Sequence, residues 1–190
     1  MLEKQCILIQ TLRNSFGIHC AKNRQNYSEF SDFKIITGTG EDVHSFNVHK
    51  LMLSLNSPVF KAMFMSNCNE IQTSVVDIPD VSKDTMEKIL SFMYTDQIEE
   101  DMIDTELLAA ADKYQISRLK FMCEYSLVSQ LSVTNAMEIG VASNLHGSDI
   151  FKEQVTEYIA NHWSAIKHGD LDIAKPHPEL LIDIMSKIGI

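Results

Sequence analysis

The sequence has 190 residues, 45 % of them apolar, enough for one large domain or a domain with a small appendage and too many for a disordered chain. Sixteen Lys and Arg against 26 Asp and Glu leave a formal charge of -10, which argues against a nucleic-acid surface with its clustered basic residues. The apolar runs stop short of the ~20 residues that a membrane span needs, the segment after Met1 lacks the order of a signal peptide, and Cys6, Cys20, Cys68 and Cys123 form no C-x-x-C pair. The expectation is therefore a chain with reduced thiols, without membrane attachment, in the nucleus or the cytoplasm.

In chain order, residues 1–16 place Ile7, Leu8, Leu12 and Phe16 at helical spacing, and the polar stretch 19–29 reads as a connector. β-branched residues from Asp32 to Thr37 predict a strand, and Gly38-Thr39-Gly40-Glu41-Asp42 has the turn chemistry for a hairpin into a second strand, Val43 to Val48. A helix is predicted over 50–64, then a short third strand at Val75-Val76-Asp77-Ile78, then a helix capped by Ser82 with Asp84 in its first turn. Leu107, Leu108, Ala111 and Tyr114 form one helical stripe, and Ile116, Leu119, Met122 and Cys123 another beyond a break at 115–117. Ser132 and Ser148 are predicted caps for helices near 133–145 and 149–162, and Pro178 suits the first turn of a closing helix with Leu180, Leu181, Ile184 and Ile188. Strands early and helices late predict an α+β domain followed by a small all-helical one.

Catalytic and metal chemistry find little purchase. His44 and His49 lie five apart across a strand-to-helix join, His162, His168 and His177 lie among caps and loops, and none has metal-ligand spacing with cysteine. No G-x-S-x-G, Walker loop, H-E-x-x-H or nucleotide-binding glycine pattern occurs. Cys68 lacks the neighbouring base that would make it a nucleophile and reads as an ordinary thiol. The expectation is a non-enzyme with no metal and no cofactor.

The stretch SFNVHKLMLSLNSPVFKAMF (45–64), preceded by FSDF (30–33), resembles the signature of the BTB/POZ domain. The resemblance continues through VVDIPDVSKDTMEKILSFMYTDQI (75–98) and LLAAADKYQISRLKFMCE (107–124), the latter similar to the speckle-type POZ group. LSVTNAMEIGVASNLHGSD (131–149) and HPELL (177–181) resemble the truncated BACK helices that follow the BTB domain there. The resemblance implies a BTB/POZ fold, a small β-sheet with helical hairpins, at 30–128 and a BACK-like helical tail at 129–190, after a dimerisation helix and connector at 1–29. Members of that group carry a substrate-binding MATH domain ahead of the BTB domain, where this sequence has about 30 residues.

Site residues follow from the same resemblance. Leu8, Leu12 and Met52 would face a second copy of the chain across a dimer interface. Asp32 and Lys50 would form a charged pocket near that interface, the alternative being a solvated Lys50 and an Asp32 that accepts from backbone amides. Cys68-Asn69-Glu70 falls on the apolar-x-Glu pattern that contacts cullin-3, with Phe64 and Met65 upstream in the same surface. Methionine is usual where Cys68 stands, and the shorter side chain leaves a loop without a partner as the alternative. Ile184, Met185 and Ile188 would supply a second self-association surface on the closing helix. Two departures bear on structure: Asp96 replaces a common glycine, implying another turn or a positive φ, and Met86 replaces a phenylalanine as a flexible core filler. The implied function is a dimeric adaptor that binds cullin-3 and recruits substrates to a cullin-RING ubiquitin ligase. The alternative is a scaffold or transcriptional regulator that dimerises with itself or other BTB proteins without recruiting a cullin.

Overall fold

The computed structural model describes residues 31–40, 42–65, 73–166 and 171–189. The expected dimerisation helix and connector, with Leu8 and Leu12, and the Cys68 and Glu70 contacts lie outside these residues. The chain divides into two compact units, one comprising the described residues up to Met102 with Tyr114–Ile116, the other Ile103–Lys113 with the residues from Ser117 onward.

Among its described residues the first unit is built on a three-stranded sheet of β1 (Phe33–Thr37), β2 (His44–Val48) and β3 (Val75–Ile78) in the order β2-β1-β3. β1 is central, antiparallel to β2 with Phe33 opposite Val48 and Ile35 opposite Phe46, and parallel to β3 with Ile35 opposite Val76. Strand periodicity of two buries Phe33, Ile35 and Thr37 on one face. The β1–β2 turn needs Gly38: at φ +81 a Cβ there would collide with the Asp42 carbonyl oxygen. Thr37 keeps one oddity, a buried Oγ1 with no hydrogen-bond partner among the described residues.

Between β2 and β3 the single helix expected over 50–64 is two helices, α1 (Lys50–Asn56) and α2 (Pro58–Met65). Pro58 is the cause. It lacks an N–H and disfavours helical backbone at the residue before it, so Ser57 adopts φ -134 and ψ 115. Ser57 also starts the next helix, its Oγ accepting from the Phe60 N–H at 3.1 Å while Pro58 takes the first helical position.

After β3, α3 (Lys83–Thr95) is capped as predicted, with the Ser82 hydroxyl accepting from the Thr85 N–H at 3.2 Å. It fills the core with Met86, Ile89, Leu90, Phe92, Met93 and Tyr94. Of the two possibilities for Asp96 the positive φ is realised. Asp96 sits at φ 62 and ψ 22, closing the helix with an N–H to Phe92 O bond of 2.7 Å, in a conformation that Asp tolerates better than most non-glycine residues.

The second unit is helical among its described residues: α4 (Thr105–Lys113), α5 (Ser117–Ser129), α6 (Ala136–His146), α7 (Asp149–Asn161), the short α8 (Trp163–Ile166) and α9 (Leu171–Ala174), and α10 (Pro178–Ile188). α6 begins three residues later than expected. Asn135 Oδ1 accepts the Ser132 N–H at 2.8 Å and stabilises a turn there, so Ser132 is not its side-chain cap. Ser148 does cap α7, and the Glu124 carboxylate grips it from α5, accepting from Ser148 N at 2.7 Å and from Ser148 Oγ at 2.8 Å. Gly140 lets α6 approach α7 and α10, since a Cβ would stand 2.9 Å from Ile159 Cδ1 and 3.5 Å from Leu180 Cδ2. Among the described residues no helix is long and apolar enough to cross a membrane.

Candidate protein-interaction site

The join of β2 to α1 is where sequence and tertiary structure meet most tightly. α1 gets no cap from its own N-cap side chain, His49. Asp32, one residue ahead of β1, supplies the acceptor instead, its Oδ1 taking the Lys50 N–H at 2.8 Å. A carboxylate there satisfies a donor that the helix cannot and complements the positive end of the helix dipole. Beside it, the Tyr94 hydroxyl accepts from the His49 N–H at 3.0 Å and lies 2.8 Å from His49 Nδ1.

Of the two readings of Asp32, acceptance from a backbone amide is realised. Asp32 and Lys50 are neighbours, but the carboxylate meets the main chain of Lys50, and the ammonium goes to aromatic faces. Lys50 Nζ stands 5.3 Å from the centroid of the Phe33 ring and 6.0 Å from that of Phe64. Phe33 and Phe64 meet edge to face at 4.8 Å, Phe64 stacks near Phe60 at 6.2 Å, and Phe60 stacks on Tyr114 at 4.8 Å. Ser57 Oγ closes this cluster by donating to Tyr114 O at 2.6 Å. Burial, with the Asp80 carboxylate adding to it, pushes the Tyr114 phenol well above its usual range.

Of the expected interface residues, Met65 is 78 % exposed at the end of α2 and Phe64 is half-buried against the cluster. Met52 turns inward with 6 % of its surface accessible, and the apolar face that α1 leaves outside belongs to Leu51 (64 %) and Leu55 (49 %). Those two lie four apart, on one helical face, a signal present in the sequence but eclipsed by the density of apolar neighbours. On α10, Ile184 is buried and is withdrawn from the second surface for that reason, Ile188 is half-buried, and Met185 is exposed together with Ile182. Ile184 belongs to the core because it shares the inward stripe of Leu180, one turn earlier.

Among the described residues no group of three or more His, Cys, Asp and Glu side chains converges to hold a metal ion. What the surface offers is apolar side chains at helix ends and faces, the chemistry of protein contact.

Among curated relatives, TD and POZ domain-containing protein 4 of the mouse is 32 % identical over 151 residues, spanning 77 % of this chain and 41 % of the mouse protein. The chain thus spans about two fifths of that relative. Among solved structures, the BTB domain of zebrafish PATZ1 is similar at a TM-score of 0.47 and 22 % identity, over 63 % of this chain and 94 % of that one. The BTB domain of human gigaxonin is similar at 0.45 and 22 %, over 60 % and 86 %. BTB domains are protein-interaction folds that mediate homo- and heterodimerisation. The family model for the BTB/POZ domain matches residues 21–131, and with the small sheet and its helices this chain belongs to the BTB/POZ family, an α+β fold followed by further helices.

Proposed function

We propose that the chain is a dimeric BTB adaptor that binds cullin-3 and brings substrates to a cullin-RING ubiquitin ligase in the nucleus or the cytoplasm. The observation that carries this reading is the end of α2, where Met65 stands 78 % exposed on the half-buried Phe64. A large apolar side chain left in water at a helix end favours a partner's groove, and the sequence leads from it directly into Cys68-Asn69-Glu70. The adaptor performs no chemistry of its own. It raises the effective concentration of a substrate, held by another domain or partner, near the ubiquitin-loaded enzyme, and a dimer presents two such cullin surfaces. Leu51 and Leu55 on α1 supply apolar area for that dimer, together with Leu8 and Leu12. Met185 and Ile182 on α10 support a weaker second self-association surface.

Calorimetry against the cullin-3 N-terminal domain tests the reading. Glu70→Ala weakens binding by ~1.5–3 kcal/mol, the usual worth of a hydrogen bond to a charged group. Cys68→Met strengthens it by about 1 kcal/mol through added apolar burial. The cysteine favours one second reading, a dimerisation scaffold or transcriptional regulator working with other BTB proteins. Wild-type binding too weak to detect, restored by Cys68→Met, would select that scaffold; binding indifferent to both substitutions would refute the placement of the site.

A further inference from the structure

We propose that Lys50 is a positioning residue for the partner-facing end of α2, acting through the ring of Phe64. Lys50 opens α1 and Phe64 lies in the last turn of α2, so the two are distant in sequence and joined only by the fold. The Lys50 amide is anchored by Asp32 at 2.8 Å, which fixes where the side chain starts. Its ammonium then lies over two rings, 5.3 Å from the Phe33 centroid and 6.0 Å from that of Phe64. Phe33, on the central strand and 3 % exposed, is a fixed wall. Phe60, fully buried and stacked on Tyr114, is another.

Phe64 is held by those walls from two sides, edge to face with Phe33 at 75° and nearly parallel to Phe60 at 21°. The cation is the third element. A ring face carries negative charge density, so a cation over it favours the orientation in which that face is turned toward it. Phe64 lies in the last turn of α2, so the rings and the cation that hold it anchor the turn from which the exposed Met65 projects. The effect on binding rests on the cullin-3 reading; the positioning itself does not.

Four variants of the full chain, with methionine methyl groups labelled for NMR, test this. Lys50→Met keeps the aliphatic stem and removes the charge, and it moves the Met65 methyl signal. Lys50→Arg, which keeps a cation that stacks on aromatic faces, returns the signal close to wild type. In a Phe64→Leu background Lys50→Met has no further effect on it, because the ring through which the charge acts is gone. Binding to the cullin-3 N-terminal domain falls about threefold in Lys50→Met and recovers in Lys50→Arg, the scale of a cation–π contact near the surface. A general loss of stability would lower the unfolding midpoint without distinguishing arginine from methionine at this signal. An unmoved Met65 methyl in Lys50→Met, no recovery with arginine, or an undiminished effect in the Phe64→Leu background would overturn the proposal. Failure of the wild type to bind cullin-3 would remove the adaptor reading, and the methyl signal would still decide the role of Lys50.

Discussion

Tyr94→Phe isolates the hydroxyl that ties α3 to the start of α1. The tyrosine is fully buried and packs edge to face with His49, ring centroids 5.9 Å apart, and phenylalanine keeps that packing. What disappears is the acceptor of the His49 N–H at 3.0 Å and the partner of His49 Nδ1 at 2.8 Å. A net hydrogen bond contributes ~1 kcal/mol, and a donor left orphaned in a site only partly buried costs about 1–2 kcal/mol, so the expected loss is roughly 2–3 kcal/mol. For a chain of this size that lowers Tm by roughly 4–12 °C. Urea unfolding followed by circular dichroism, at fixed protomer concentration, should show a lower midpoint with an unchanged slope. The backbone bond survives in a His49→Ala variant, so Tyr94→Phe should still cost about 1–2 kcal/mol there. A loss under about 0.5 kcal/mol in wild type, or none in the His49→Ala background, would refute the assignment of the hydroxyl to the main chain.

Asp32→Ala should cost about 0.5–1 kcal/mol by removing the acceptor of the Lys50 N–H, and Asp32→Asn should keep most of that, as read by the same urea titration. If the carboxylate instead served a charge pair, asparagine would fail as badly as alanine. Thr37→Val removes a buried hydroxyl that has no partner among the described residues and should be neutral or stabilising by up to about 1 kcal/mol, whereas a clear loss would mean that the hydroxyl is bonded. Tyr114, held protonated chiefly by burial and further by Asp80, has a folded pKa above the unfolded value of 10.0. The unfolded state therefore releases its proton first, and stability is unaffected below pH ~9 and falls as pH rises past ~10. Tyr114→Phe should flatten that fall between pH 9 and 11, and equal slopes in the two proteins would remove the claim.

Local signals that depend on nearest neighbours were legible in the sequence. Ser82 and Ser148 cap their helices because a hydroxyl followed by a helical stretch reaches an amide three residues on without help from the rest of the chain. The three strands follow from β-branched residues and turn chemistry, the stripes of α4 and α5 from periodicity, and the BTB/POZ resemblance was carried by residues in a fixed order. The break at Ser57-Pro58 was legible too, in the proline, but the apolar density on both sides masked it. Which apolar residue faces inward was harder: Met52 and Ile184 went to the core while Leu51 and Met185 stayed outside, because a helix dense in apolar residues offers several faces and only its neighbours choose among them.

Sequence by itself determined most of the elements and the family, since both rest on the kinds of residue and their order along the chain. Tertiary structure alone decided the chemistry around Lys50. Asp32, eighteen residues earlier, takes its amide, and Phe33 and Phe64 take its charge. Opposite charges in a sequence invite pairing, yet a helix end with an unmet N–H is also a positive partner for a carboxylate. Which of the two the carboxylate meets depends on where the sheet places Asp32 against the first turn of α1, and no property of either residue alone contains that distance.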